Sequence, residues 1–101
     1  MKKSLLEIIN YYGVSPQLKY FQSEVFELSE AIINYENAKT IFGKRNTLGN
    51  KHIAEEIADV LVMLNQFVEY YQIQDSDIYI IMEQKIDRQL ERIKNDSKGN
   101  V

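Results

Sequence analysis

Apolar residues recur along most of this chain at alternating steps of three and four. Leu18, Phe21, Val25, Leu28, Ile32 and Tyr35 form one such stripe, the pattern of a helix with one buried face. Ile53, Ile57, Val60, Leu61, Leu64, Val68 and Tyr71 form a second, which Met63 and Phe67 widen beyond what one neighbour covers. Tyr79, Met82, Ile86, Leu90 and Ile93 form a third, with Ile78, Ile80 and Ile81 adding apolar surface near its start.

Start and stop signals frame these stripes. Ser4 with Glu7 reads as a capping box opening a short helix to about Tyr12, which Gly13 ends. Ser15 as N-cap and Pro16 at the first helical position open a second helix to about Ala38. Lys39 to Asn50 lacks any period and reads as a loop, with Asn50 capping a third helix from about Lys51 to Tyr71. Gln72 to Gln74 turns the chain, and Asp75-Ser76-Asp77 opens a fourth helix that stays apolar to Ile93. The pattern predicts an all-α, four-helix bundle-like fold of one short and three long helices. A single domain over 1–95 ends in a frayed tail over 96–101. The surplus apolar width, on a chain of 101 residues with little core, predicts a homodimer or homotetramer.

Composition narrows the function. Four Gly and one Pro are too few for a many-stranded sandwich or barrel. No Cys means no disulfide, no thiolate metal site and no cysteine nucleophile, and suits a reducing, cytoplasmic setting. A net charge of -3 argues against nucleic-acid binding, and the apolar run in MKKSLLEIINYYG is too short for a membrane span or signal peptide.

The acids are unevenly placed. Glu24 and Glu27 are helical neighbours on one flank of the first stripe, and Glu56 and Asp59 stand on the corresponding flank of the second. A single such pair is ordinarily a solvated rim. Two pairs on matching flanks, with the helices antiparallel, bring four carboxylates together at a core edge. That is costly without a counter-charge, and hard divalent cations relieve it. On the last helix Lys85, Arg88 and Arg92 form a basic strip. Acids beside such a strip suit a metal-bound polyphosphate, although basic residues near a helix C-terminus also favour the macrodipole by themselves.

QLKYFQSEVFELSEAI followed by AEEIADVLVMLNQF resembles the all-α nucleoside triphosphate pyrophosphatases, the MazG-like superfamily. Glu24-Val25-Phe26-Glu27 looks like its Glu-x-x-Glu element and Glu56-Ile57-Ala58-Asp59 like its Glu-x-x-Asp element, with KIDRQLERI similar to the basic stretch that closes many small members. The likeness spans about Gln17 to Ile93; the stretch from Leu28 to Glu55 between the pairs departs from the pattern by its length. The resemblance implies hydrolysis of a nucleoside or deoxynucleoside triphosphate to the monophosphate and pyrophosphate. Glu24, Glu27, Glu56 and Asp59 would hold Mg²⁺, or Mn²⁺, while Lys85 and Arg88, with Arg92 as a third, would hold the β- and γ-phosphates. It also implies a dimer or tetramer.

Other residues have plainer readings. His52, the sole histidine, reads as structural. Tyr11 or Tyr12 is placed to stack on a base, and Asn65 to bond a sugar or base, though both types are common on helix surfaces. Lys39, Lys44 and Arg45 would form a lid or a solvated basic loop. The alternative to an enzyme is a non-catalytic helical oligomer, a regulatory or partner-binding module using the wide apolar face of the third helix.

Overall fold

Spacing of apolar side chains decides where helices form, and four are found among the described residues of the computed structural model. The structure describes residues 1–42 and 47–99, with side chains described over 1–38 and 49–96. Helix α1 is Lys2–Tyr12, α2 is Val14–Phe42, α3 is Thr47–Tyr70 and α4 is Asp75–Gly99. The chain divides into two compact units, residues 1–71 and 72–101. No described helix is long and apolar enough to cross a membrane.

The first three helices begin earlier than the capping signals imply. Ser4 lies inside α1, whose first amide bonds come from the backbone: Leu5 N–H donates to Met1 C=O at 3.1 Å, with no side-chain cap. Gly13 alone separates α1 from α2, at φ 91° and ψ 158°. That backbone is open to glycine and strained for other residues. Its N–H donates to Ile9 C=O at 2.8 Å, closing α1. Gln17 N–H donates to Gly13 C=O at 3.3 Å, so α2 starts at Val14 and Pro16 sits within its first turn rather than at its first position. A proline is tolerated there because the first amides of a helix have no intrahelical acceptor.

The expected 39–50 loop is mostly helix. Residues 39–42 continue α2 and 47–50 open α3, so Asn50 is not a cap; residues 43–46 lie outside the described residues, as do the side chains of Lys39, Lys44 and Arg45. Past Tyr71, Gln72 takes φ 55°, and Gln74 C=O accepts from Asp77 and Ile78 to start α4. Asp75 and Asp77 fall in that first turn, as the sequence predicts, where negative charge favours the dipole. Helix α4 continues through 96–99, where the sequence predicts fraying.

Within the first unit, α3 packs on both α2 and α1. The seam of α2 is Gln17, Phe21, Glu24, Leu28, Ala31 and Tyr35, all buried or half-buried; that of α3 is Ile53, Glu56, Val60, Met63 and Phe67. Both follow the three-and-four steps of a coiled-coil seam. The partners run in opposite senses, Gln17 beside Gln66 and Phe21 beside Phe67, while Tyr35 shares a small cavity with Gly49 and His52, so α2 and α3 are antiparallel.

This seam corrects the predicted stripes. Leu18, Val25 and Ile32 on α2, and Ile57, Leu61 and Leu64 on α3, are exposed. Phe21, Leu28 and Tyr35 on α2 and Ile53 and Val60 on α3 belong to both rows, so the buried face is turned by only about 50–65°, toward the acidic flank. A hydrophobicity pattern selects the row richest in apolar side chains, whereas the packed row contains Gln17, Glu24 and Glu56.

Candidate metal centre

Because the seam runs through the acidic flank, two of the predicted carboxylates are drawn into it. Glu24 is only 6% exposed, and the side chain of Glu56 is 13% exposed. Glu27, one turn on from Glu24, reaches the same place from the solvent side. One carboxylate oxygen from each of Glu24, Glu27 and Glu56 lies within 4.8 Å of the others. Asp59 is not in this trio. It stands exposed, near enough to Glu24 to act on it electrostatically.

Negative charge dominates the trio. Burial raises the Glu24 carboxyl above the ordinary carboxylate value, and the charges of Glu27, Asp59 and Glu56 push it further up. The Tyr20 hydroxyl opposes them by donating to Glu24, and that bond raises the Tyr20 phenol in turn. Glu24 Oε2 and Glu56 Oε2 remain buried without a hydrogen-bond partner. A third such atom, Tyr35 Oη, lies elsewhere along the seam. Unpaired buried carboxylate oxygens are expensive, since each gives up its water for nothing in return. A hard divalent cation fits this donor set, which is all oxygen, carries up to three negative charges and includes two oxygens awaiting a partner.

The basic strip is separate from this cluster in the chain's division. Lys85, Arg88 and Arg92 are exposed along α4, in the second unit. Asn65, a candidate for sugar or base, donates instead to Leu61 C=O at 2.9 Å on its own helix. Tyr11 and Tyr12 pack edge to face at 4.8 Å between centroids, both exposed.

Three groups at the site escape a motif reading. His52, one turn before Glu56, places Nε2 3.9 Å from Glu56 Oε1; its spacing of four residues was the available signal. Tyr20 stands in the same relation to Glu24. Gln17 and Gln66 are both buried, and Gln17 Nε2 donates to Gln66 Oε1 at 2.7 Å. Pairing between two glutamines 49 positions apart leaves no local signal.

No family model, curated protein or solved structure matches the chain.

Proposed function

We propose that this protein is a divalent-metal-dependent nucleoside triphosphate pyrophosphohydrolase, converting a nucleoside or deoxynucleoside triphosphate to its monophosphate and pyrophosphate. The observation that carries the reading is the pair of buried, unpartnered oxygens, Glu24 Oε2 and Glu56 Oε2, inside a three-glutamate cluster. Glu24, Glu27 and Glu56 would hold Mg²⁺, or Mn²⁺, with Asp59 beside them. A divalent cation held by these carboxylates would supply positive charge to acidify a water and to offset charge developing on the phosphates.

The chain's own groups divide the remaining work. Glu24 and Glu56 are fixed by packing in the seam, so their oxygens are pre-set rather than recruited. Tyr20 holds Glu24 from outside by a donated hydrogen bond, and His52 stands beside Glu56, Nε2 3.9 Å from Oε1. On α4, in the second unit, Lys85, Arg88 and Arg92 are exposed and carry cationic N–H donors of the kind that phosphate oxygens accept from. Exposed Leu18, Val25 and Ile32, with Ile57, Leu61 and Leu64, support assembly as a homodimer or homotetramer.

The test is pyrophosphate release from a panel of NTPs and dNTPs, with and without Mg²⁺. Metal-dependent turnover of at least one is expected; none at all would sink the proposal. The exposed apolar rows also favour a second reading, a non-catalytic partner-binding module. That module predicts no stabilisation by Mg²⁺ with a non-hydrolysable triphosphate analogue, whereas the enzyme predicts a clear rise in unfolding temperature.

A further inference from the structure

Beside the glutamates, within the first unit, lies a cavity of about 570 Å³. Glu24 and Asp59 line it, so it opens onto the acidic cluster, and Ile8, Tyr12, Val62 and Met63 give it apolar walls. Among the described residues no Lys or Arg lines it, which makes its described walls a poor place for phosphate. Beside the hydroxyls of exposed Tyr12 and Tyr20, its neutral polar groups are the buried amides of Gln17 and Gln66, 8% and 2% exposed. The amides use little of their capacity on each other. Gln17 Nε2 donates to Gln66 Oε1 at 2.7 Å, and Gln66 Nε2 meets only the weak acceptor Met63 Sδ, at 3.7 Å.

We propose that this cavity takes the nucleobase of the substrate and that the Gln17–Gln66 pair reads the base's hydrogen-bonding edge. The inference rests on the pyrophosphohydrolase reading and extends it from the phosphates to the base. A carboxamide presents a donor and an acceptor side by side, the same juxtaposition that the Watson–Crick edge of every common nucleobase displays. The apolar walls and the rings of Tyr12 and Tyr20 suit a flat heterocycle. Because each glutamine fixes the other's orientation, the pair shows one donor and acceptor pattern at a time, and a base with the complementary pattern is favoured. Buried polar readers discriminate strongly, because a mismatched ligand leaves them unpaired.

The experiment measures kcat/KM for the eight common NTPs and dNTPs and for inorganic triphosphate, in the wild type, Q17M, Q66M and the double variant. Helical content and unfolding temperature check each fold. The wild type should favour one base over the others by about tenfold or more, and the variants should shrink that spread to about threefold, mainly through KM. An unchanged spread in folded variants overturns the proposal and leaves the amides as a staple between α2 and α3. A second measurement is independent of catalysis: free nucleosides, lacking phosphate, are titrated into wild-type protein while the side-chain amide resonances of Gln17 and Gln66 are followed by NMR. Shifts for a preferred base support the pocket even if no triphosphate is hydrolysed, an outcome that would sink the parent reading alone. No shift at millimolar nucleoside overturns it.

Discussion

Where α2 and α3 meet, buried polar groups are handled in two ways. Near the start of α2, Gln17 donates to Gln66 at 2.7 Å, and the fold answers one amide with another. Two helical turns further on, Glu24 is as deeply buried, yet its Oε2 has no partner and the charges acting on it come from Glu27, Asp59 and Glu56. Both places remove polar atoms from water. The amide end answers one neutral group with another, while the carboxylate end, with one hydrogen bond from Tyr20, accumulates charge of one sign. A fold that tolerates the second arrangement gives up stability there, as is common where a ligand supplies the missing interaction.

Removing a ligand from the carboxylate end is the strongest way to break that contrast. E56A or E24A should lower metal-dependent pyrophosphate release by about 10²- to 10³-fold, the scale of losing one pre-set electrostatic stabiliser. Circular dichroism should show the helices intact. Activity within about twofold of wild type would exclude the trio as the site.

Occupying the site should have the next largest effect. Mg²⁺ with a non-hydrolysable triphosphate analogue, at a hundredfold above its dissociation constant, should add about 2.7 kcal/mol to unfolding free energy. E24Q should lose most of that gain. Thermal unfolding with and without ligand is the measurement.

The four helices were legible in the sequence; of the four carboxylates expected to converge, Glu24, Glu27 and Glu56 come together, two by their spacing on α2 and the third by antiparallel packing of α3, while Asp59 is not in the trio. The packed face was misplaced. Leu18, Val25 and Ile32 outweigh Gln17, Glu24 and Ala31 in hydrophobicity, yet the latter row is buried. Burial of a charged residue contradicts any apolar pattern, so the functional feature was also the one the pattern could not register. Helix ends were missed for a different reason. Ser4 and Asn50 are good caps by residue type, but backbone bonds from Met1 and an earlier start at Thr47 place both inside helices.

Acidity separates the two places next. In the folded chain Glu24 holds its proton above the ordinary value of 4.5, first because it is buried. The native state therefore binds that proton more tightly than the unfolded state. Stability from protonated Glu24 is complete below the ordinary value and is lost as pH rises through the raised one. Metal-free protein should accordingly lose this contribution on going from acid toward neutral pH, opposite in direction to a salt-bridged carboxylate. E24Q should flatten the trend and stabilise the metal-free protein at neutral pH by about 1 kcal/mol. Urea unfolding across pH reads both, and a slope unchanged by E24Q would refute the assignment.

The turn before the seam gives an effect of similar size on both places at once. Gly13 holds φ 91°, and a Cβ there would lie 3.7 Å from Pro16 Cδ, so space is adequate and backbone strain is the obstacle. G13A should cost about 1–3 kcal/mol with metal present or absent. A loss confined to the metal-bound form would instead tie this turn to the carboxylates.

The smallest net change belongs to the double variant at the amide end, and it tests whether the contrast is one of chemistry or merely of depth. Replacing Gln66 alone by Met leaves the Gln17 amide buried without its partner and should cost about 1–3 kcal/mol. Replacing both glutamines by Met removes donor and acceptor together, and the double variant should return to within about 1 kcal/mol of wild type. The double-mutant cycle in urea measures the coupling directly. Glu24 and Glu56 have no equivalent escape: the pair repel, so E24Q and E56Q should each stabilise the metal-free chain rather than depend on one another for satisfaction. Additive costs at Gln17 and Gln66 would show that the amides pack without answering each other, and the contrast between the two ends of the seam would then dissolve.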